Sequence, residues 1–210
     1  MTDRQFAVAL LAVTAAVLAW SGFRPHDRFT WLLEVFPVLI AAPVLIATWR
    51  RFRLTRLLYV LIAVHAVILM VGGKYTYALT PLGFWMQSAF GFARNHYDRI
   101  GHFAQGFIPA IAAREILIRV ARLRRDSWLN VIVVAICLAI SALYELLEWA
   151  VAAATGEAAE AFLGTQGDVW DTQKDMLLAL IGAVVALTLL SRLHDRQLAG
   201  LGAPQPDREH

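Results

Sequence analysis

The sequence predicts an all-α protein, a polytopic bundle of six transmembrane helices with both its N- and C-termini in the cytoplasm. Hydrophobic residues make up 59% of the 210-residue chain and charged residues only 17%. A soluble domain is typically about half apolar and a quarter charged. In addition, six stretches of the chain are long and apolar enough to cross a bilayer, and the arginines are concentrated at one side of them. Together these observations indicate an integral membrane protein.

Each predicted span approaches the length of about 20 apolar residues that is needed to cross roughly 30 Å of hydrocarbon. The first span is short enough to resemble a secretory signal, but Asp3 beside Arg4 in its leader favours a retained helix. We expect residues 1–198 to form one transmembrane domain and residues 199–210 to form a flexible cytoplasmic tail. The six predicted spans are 6–21, 29–48, 54–71, 100–120, 128–155 and 171–193.

The basic residues orient this predicted bundle, because Lys and Arg accumulate in cytoplasmic loops. With the N-terminus inside, the inner segments hold twelve of the nineteen Lys and Arg residues and the outer segments hold six. Arg114, Glu115 and Arg119 are expected near the inner boundary, as snorkelling side chains with a Glu115–Arg119 pair. Polar groups at the outer ends of the spans should therefore face the periplasm.

Several classes of function are disfavoured by what the sequence lacks. Cys137 is the single cysteine, which excludes a disulfide framework and a multi-cysteine metal site. The chain has no Gly-rich phosphate loop, no HExxH motif and no GxSxG nucleophile elbow. Its net charge of +3 does not indicate a nucleic-acid partner. The lipid bilayer is the partner that the composition predicts.

Ionisable side chains recur near the outer ends of the predicted spans, where each costs about 3 kcal/mol on insertion scales. Once the direction of each span is considered, five of the six helices bring such groups to one level. Many lie at helical spacing, i, i+3 or i+4, and i+7, so that they share a helix face. The ionisable groups are Glu34, His65, Asp98, His102, Glu145, Glu148, Asp168, Asp171 and Asp175, and the uncharged Gln105 and Ser141 share their helix faces.

Crowded carboxylates cannot all remain ionised without a proton, an arginine or another cation. Carboxylates with imidazole suit a divalent metal cation such as manganese, magnesium, iron(II) or zinc. Within this pocket, Glu145 and Glu148 are the candidate catalytic bases, and Glu34, His65 and Gln105 are candidate ligand-pocket residues. The predicted metal ligands are Asp98, His102, Glu145, Glu148, Asp168, Asp171 and Asp175.

Structural interpretations compete with these assignments. Asp168 can serve as an N-cap of the last span, and Asp171 is favoured there by the helix dipole. Glu145 and Glu148 can be protonated and hydrogen-bonded to a neighbouring helix. His65, alone on an apolar face, can instead make one hydrogen bond between helices.

Five segments of the chain closely resemble the YjdF family of bacterial inner-membrane proteins. They are HDRFTWLLEVFPV (26–38), LLYVLIAVHAVILMVGGKYTYA (57–78), NHYDRIGHFAQGFIPAIAAREIL (95–117), ISALYELLEWAVA (140–152) and FLGTQGDVWDTQKDM (162–176). The resemblance covers nearly the whole chain and implies topology and location, but no reaction, because this family is a domain of unknown function. It also places Gln166 and Gln173 in family motifs and so adds them to the candidate ligand pocket.

A second similarity is to VanZ-like membrane proteins, which are associated with glycopeptide tolerance of the cell envelope. Asp98-Arg-Ile-Gly-His102-Phe103 resembles their Asp-Lys-x-x-His-Phe pattern, with Arg in place of Lys. Glu148 stands where that pattern has Gln, and Asp171 and Asp175 are spaced differently from its late Asp and Asn. The similarity implies a role in the cell envelope.

The sequence thus predicts an inner-membrane protein whose periplasm-facing pocket of carboxylates and His binds a divalent cation or an envelope ligand. In its enzymatic form, the protein would be a metal-dependent hydrolase or transferase acting on a lipid-linked substrate. Two alternatives use the same residues. One is a proton- or cation-coupled transporter, and the other is a non-catalytic envelope scaffold whose buried polar groups hold the helices together.

Overall fold

The computed structural model describes residues 1–155 and 166–201, and in these ranges the chain forms seven α-helices and a short 3-10 turn. A side-chain cap begins several of the helices: for example, the Asp27 carboxylate accepts a hydrogen bond from the backbone N–H of Thr30 at 2.7 Å. The helices are α1 (Asp3–Gly22), α2 (Arg28–Thr48), α3 (Arg56–Tyr75), α4 (Pro81–Phe90), α5 (Tyr97–Arg119), α6 (Ser127–Thr155) and α7 (Asp171–Gly200), and the 3-10 turn is Tyr77–Leu79.

Five of these helices, α1, α2, α3, α6 and α7, are long and apolar enough to cross a membrane. The remaining long helix, α5, corresponds to the predicted fourth span. Its 23 residues correspond to about 34 Å, which is also sufficient to cross. Its composition is less apolar because it carries Asp98, Arg99, Arg114, Glu115 and Arg119.

Helix α5 packs against α3, α6 and α7, and its contact with α7 is the most extensive between any two helices of the described chain. Ala110 and Ile111 of α5 are fully buried against Val133 of α6 and Ala183 of α7. Helices α1 and α2 pack on α3 instead. The charged groups of α5 are therefore shielded by its neighbours, which removes the cost of facing lipid.

The α5–α7 interface brings two helix backbones into direct contact. A Cβ atom on Gly106 of α5 would overlap the carbonyl oxygen of Ala179 of α7. In the same way, a Cβ atom on Gly182 of α7 would overlap the carbonyl oxygen of Phe103 of α5. Small residues allow such close approach in membrane bundles, where packing rather than hydrophobic burial drives helix association.

The connection between α3 and α5 folds over the ends of the helices at which α3 ends and α5 begins. Tyr77 is buried, and its ring occupies the space above Gly72 of α3 and Gly101 of α5. Helix α4, by contrast, exposes Phe84, Trp85 and Phe90. Exposed aromatic rings at the end of a membrane bundle are typical of the interfacial belt.

The helices agree closely with the predicted spans, but two run further. Helix α3 continues to Tyr75, four residues past its predicted end, and α7 continues to Gly200, seven residues past its predicted end. Helix α7 is longer because His194 and Leu198 are both fully buried and hold its last turns against the bundle. The end of α7 thus includes the first two residues of the predicted tail, and residues 202–210 of that tail lie outside the described residues.

Candidate functional site

The start of α5 is held in place by a buried asparagine. The side-chain oxygen of Asn95 accepts a hydrogen bond from the backbone N–H of Tyr97 at 3.0 Å, and its side-chain amide donates to the carbonyl of Thr80 at 3.0 Å. The side-chain amide of Gln166 pairs with the backbone of Asn95, donating at 2.9 Å and accepting at 3.2 Å. Gln166, predicted as a ligand-pocket residue, therefore links the approach to α5 with the approach to α7.

Helices α5 and α7 run parallel, so that their N-terminal turns meet at the same end of the bundle. Two arginines ahead of or within α5 pair there with the aspartates of α7. Arg94 lies 2.5 Å from Asp171, and Arg99 donates to Asp171 and Asp175 through its two terminal nitrogens. Arg99 also donates to Asp168 at 3.2 Å. This arginine–aspartate rim neutralises Asp168, Asp171 and Asp175, three of the four aspartates that the sequence predicted as metal ligands.

Asp168 lies at the exposed edge of the rim. Lys174 donates to its carboxylate at 2.6 Å, and the backbone N–H of Trp170 donates at 3.1 Å. These two hydrogen bonds, first that from Lys174 and then that from Trp170, hold the pKa of Asp168 below its ordinary value. Asp168 therefore acts here as an ion-pair partner and as a cap of the turn that precedes α7.

Beneath the rim, the His102 ring lies among three carboxylates. Its Nε2 atom is 3.3 Å from Asp98 and 3.8 Å from Asp175, and its Nδ1 atom is 3.7 Å from Glu145. The side-chain oxygen of Gln105 lies 3.3 Å from the same Nδ1 atom. All of these residues except Gln105 are at least nine-tenths buried. The structure thus brings together side chains from α5, α6 and α7 that the sequence had placed at one level.

Asp98, His102 and Asp175 lie close enough together to hold a metal ion. Each offers one ligand atom, and the three atoms lie within 4.8 Å of one another. In addition, one oxygen of Asp98 and one of Glu145 are buried without a hydrogen-bond partner in the described part of the chain. Buried polar atoms are normally paired, whereas the nearest basic groups to these two oxygens, Arg99 at 3.9 Å from Asp98 and His102 at 3.7 Å from Glu145, lie beyond hydrogen-bond distance.

Two further glutamates extend the buried acidic group toward α2. Glu34 is 2% exposed, and it accepts a hydrogen bond from the hydroxyl of Tyr144 at 3.3 Å. Glu148, one turn beyond Tyr144 on α6, is also buried and interacts electrostatically with Glu34 and Glu145. The predicted pocket residue Glu34 and the predicted base Glu148 therefore both lie next to the His102 cluster.

Two predicted pocket residues lie apart from this cluster. Gln173 is exposed on the first turn of α7, between the inward-facing Asp171 and Asp175. His65 lies near the middle of α3. The helix ends four residues later than predicted, so His65 is further from that end than the sequence indicated. It lines an apolar groove and makes no side-chain hydrogen bond with any described residue.

A second buried polar network lies at the opposite ends of α5 and α7, and of its contacts the sequence predicted only the Glu115–Arg119 pair, which is present. The Glu115 carboxylate is fully buried and accepts from the Thr55 hydroxyl at 2.8 Å and from Arg119 at 2.6 Å. His194 lies between Glu115 and Arg114, with 3.0 Å to each. Arg114 also pairs with Asp195 at 2.9 Å. Snorkelling does not explain these side chains, which are directed into the bundle.

This inner network leaves a sequence signal that can be found in retrospect. Two adjacent ionisable residues near the end of α5, Arg114 and Glu115, face two adjacent ionisable residues near the end of α7, His194 and Asp195. The pairing was not apparent because residues 194 and 195 follow the predicted end of the last span and were expected to be in water.

Comparison with known proteins supports membrane location and family. Residues 6–196 match the family model described as "Predicted membrane protein (DUF2238)". The chain is 53% identical over 186 residues to the inner membrane protein YjdF of Escherichia coli (strain K12), with 89% of each chain covered. No solved structure matches the chain. With its apolar helices, it is a multi-pass protein of the bacterial inner membrane. The chain therefore belongs to the YjdF-type DUF2238 family of membrane proteins.

Proposed function

We propose that this protein binds a divalent metal cation at Asp98, His102 and Asp175, with Glu145 as a neighbouring fourth group. The observation that carries the proposal is the convergence of three buried ligand atoms within 4.8 Å of one another. Closing such a set around one ion requires only small side-chain movements, because metal–ligand distances are about 2.0–2.2 Å for nitrogen and carboxylate oxygen. The oxygen of Asp98 that has no hydrogen-bond partner would supply further coordination.

The charge balance of the cluster also favours a bound cation. Arg94, Arg99 and Lys174 offset the three aspartates of the rim. The basic group nearest to Asp98, Glu34, Glu145 and Glu148 is His102, and Asp98 also lies 3.9 Å from Arg99, which already pairs with the aspartates of the rim. Four buried carboxylates around one imidazole cannot all be ionised without additional positive charge. A divalent cation supplies that charge, and the mixed oxygen and nitrogen ligands suit manganese, iron(II) or zinc, with magnesium less favoured.

Arg99 has a supporting role in this proposal. It donates to Oδ1 of Asp175, the same oxygen that lies 3.8 Å from Nε2 of His102, and so would fix the orientation of a carboxylate that binds the metal. Such outer contacts commonly tune metal affinity by about 10–100-fold. Gln105 contacts Nδ1 of His102 and leaves Nε2, on the side of Asp98 and Asp175, for the metal.

The orientation of the bundle determines which compartment this site faces. We propose that α5 is a sixth span and that both termini are cytoplasmic, as the distribution of arginines favours. The N-terminal ends of α5 and α7, and with them the cluster, then face the periplasm. An envelope ligand is consistent with this side and with the similarity of residues 98–103 to VanZ-like proteins.

In the enzymatic form of the proposal, Glu145 is the general base. One oxygen of Glu145 lies 3.7 Å from Nδ1 of His102, on the ring edge away from Nε2, so Glu145 would accept a proton from a water held near the site rather than bind the metal itself. Glu148 is set one turn further along α6 and would modulate the charge of Glu145. Hydrolysis or transfer on a lipid-linked substrate would use such a pair.

The close packing below the cluster supports a binding site rather than a transport route along α5 and α7. Gly106 and Gly182 bring the two backbones together immediately beneath His102. The interface between α5 and α7 therefore contains no space for an ion at this level. A scaffold without a ligand is the remaining alternative, and the arginine–aspartate rim is the observation that favours it.

Metal analysis of the purified protein tests the proposal. The protein would be purified with a tag that does not bind metal, loaded separately with Mn²⁺, Fe²⁺, Zn²⁺ or Mg²⁺, desalted, and measured by plasma mass spectrometry. We expect one of these metals at stoichiometric level in the wild type, its loss in His102→Ala and Asp98→Asn, and its retention in His65→Ala, the matched control. Retention in Glu145→Gln is expected if Glu145 is a base and not an essential ligand.

A folded wild type that retains none of the four metals would exclude the metal site and favour the scaffold. Gel filtration and the thermal unfolding midpoint of each variant identify those that lose metal only because they fail to fold. If Asp98→Asn and His102→Ala fold normally and retain full metal content, the assignment of the ligands is wrong.

A further inference from the structure

An apolar groove of about 530 Å³ lies between α1, α2, α3 and α5, away from the acidic cluster. Val8, Leu11, Leu45 and Ile62 are among its lining residues. Along α2 the lining runs from residue 37 to residue 49, about 18 Å at the helical rise. The groove therefore follows the length of the helices through the half of the bundle that carries the N-terminus.

The groove is separated from the candidate metal site by a packed layer. Val35, Val38, Ala66 and Met70 form a buried apolar cluster directly below Glu34 on α2. Of these four residues, only Val38 and Ala66 also line the groove. A ligand of the groove thus does not reach His102, and the two sites are independent.

The end of the groove near the N-terminus carries positive charge that is not neutralised. Arg4 lines the groove and makes no ion pair or hydrogen bond with any described residue. Its neighbour Asp3 does not neutralise it, because that carboxylate already pairs with Arg53 at 3.1 Å and with Arg56 at 2.6 Å. The exposed Arg50 and Arg51 follow Trp49, the last groove residue of α2.

We propose that this groove binds one acyl chain of an anionic phospholipid from the leaflet on the side of the N-terminus, with the lipid phosphate against Arg4. The apolar wall matches the chain, and the arginines match the headgroup. Clusters of basic residues at this depth attract anionic lipids by about 1 kcal/mol per residue, which corresponds to about a fivefold change in affinity per arginine. A neutral phospholipid would fit the wall but would leave the charge of Arg4 uncompensated.

Native mass spectrometry of the full chain tests this proposal. Delipidated protein in detergent micelles would be titrated with dioleoylphosphatidylglycerol or with dioleoylphosphatidylcholine, which have the same chains but different headgroup charge. We expect one tightly bound phosphatidylglycerol molecule per protein and weaker binding of phosphatidylcholine. Arg4→Gln should weaken phosphatidylglycerol binding by about fivefold, whereas Arg122→Gln, at the same end of the bundle but remote from the groove, should not.

A second pair of variants tests the chain-binding wall. Ala42→Phe fills the groove from α2, and Ala47→Phe places the same ring on the lipid-exposed part of that helix. We expect the first to abolish tight lipid binding and the second to preserve it. Equal affinity for the two lipids would overturn the headgroup assignment. Unchanged phosphatidylglycerol binding in a folded Ala42→Phe variant would overturn the groove assignment.

Discussion

The Nε2 atom of His194 lies 3.0 Å from the carboxylate of Glu115, and both side chains are fully buried. On the other side of the ring, Nδ1 faces the guanidinium of Arg114 at 3.0 Å. Arg114 can only donate, so Nδ1 accepts and Nε2 carries the proton that is donated to Glu115. A neutral histidine of defined tautomer thus joins an arginine to a glutamate where α5 meets α7.

We expect Glu115→Ala to destabilise the protein strongly. The change leaves the hydroxyl and backbone N–H of Thr55 and the ring of His194 without their acceptor, and breaking a buried charge pair costs about 3–5 kcal/mol. Asp126→Ala is the control, since it removes only the hydrogen bond to the backbone of Leu129, a loss of about 1 kcal/mol. Denaturant unfolding in detergent measures both. Equal stability losses in the two variants would show that the inner network contributes little.

Gly106→Ala should weaken the contact between α5 and α7. Its new Cβ would overlap the carbonyl oxygen of Ala179, which belongs to a helix backbone that cannot turn aside. Forcing extra volume into a packed interface typically costs about 1–3 kcal/mol. Gly200→Ala is the matched control, because nothing lies within 4 Å of a Cβ built there. Thermal unfolding midpoints compare the two, and a midpoint for Gly106→Ala as high as that of the control would contradict the tight interface.

Arg99→Lys tests whether the rim depends on the simultaneous hydrogen bonds from the two terminal nitrogens of Arg99. The change keeps the positive charge but cannot reproduce the simultaneous contacts of the guanidinium with Asp171 and Asp175. We expect a loss of about 2 kcal/mol, near the value of hydrogen bonds to charged groups. Arg28→Lys, at an exposed position, should have no effect. If Arg99→Lys unfolds at the wild-type denaturant concentration, charge alone explains the rim.

The pair between Asp168 and Lys174 should make stability depend on acidic pH. Because the folded-state pKa of Asp168 is below its ordinary value of 3.8, its ion pair stabilises the protein fully above about pH 4 and is lost as pH falls through the lowered pKa. Asp168→Asn retains an acceptor for the Trp170 N–H but removes the charge. We therefore expect wild type to unfold at a slightly higher temperature than Asp168→Asn at neutral pH, with the difference vanishing at strongly acidic pH. If the difference in unfolding temperature does not change with pH, the altered hydrogen bond to the Trp170 N–H, and not the lost ion pair, is its cause.

Fusion reporters test the orientation on which the periplasmic assignment depends. We expect alkaline phosphatase joined after residue 210 to be inactive and green fluorescent protein joined there to fluoresce. The same reporters joined after Phe92, in the connection between α4 and α5, should give the opposite results. An active phosphatase at the C-terminus would place the carboxylate cluster on the cytoplasmic side.

Much of the helix architecture follows from the sequence alone. Apolar runs predict each long helix to within a few residues, except where Tyr75 and Gly200 extend helices beyond the apolar run. The direction of each span predicts that Asp98, His102 and Asp175 lie at one level, and helical spacing predicts that Asp98 and His102 share a face of α5. Spacing also predicted Glu145 beside them, since α6 packs on α5 with that face inward.

The charge pairing of the site could not be predicted in the same way. Arg94 and Arg99 lie in the outer segment, where the sequence shows only that they are basic; their contacts with Asp171 depend on the rotation of α7 relative to α5. His65 illustrates the same difficulty, because the sequence gives the face of α3 on which it lies but not the neighbour of that face. Small residues at Gly106 and Gly182 determine that rotation, and their effect becomes visible only in three dimensions.

The backbone contact at Gly106 and Gly182 has a consequence for motion. Two helices whose backbones touch at these glycines are expected to move together as one rigid unit, and this unit carries a polar cluster at each end. If the pair of helices tilts about its middle, the two clusters move by comparable distances in opposite directions. Relative movement of the helices within the bilayer is therefore expected mainly of α1, which packs on α3, because α2 is also held to α6 by the hydrogen bond between Tyr144 and Glu34.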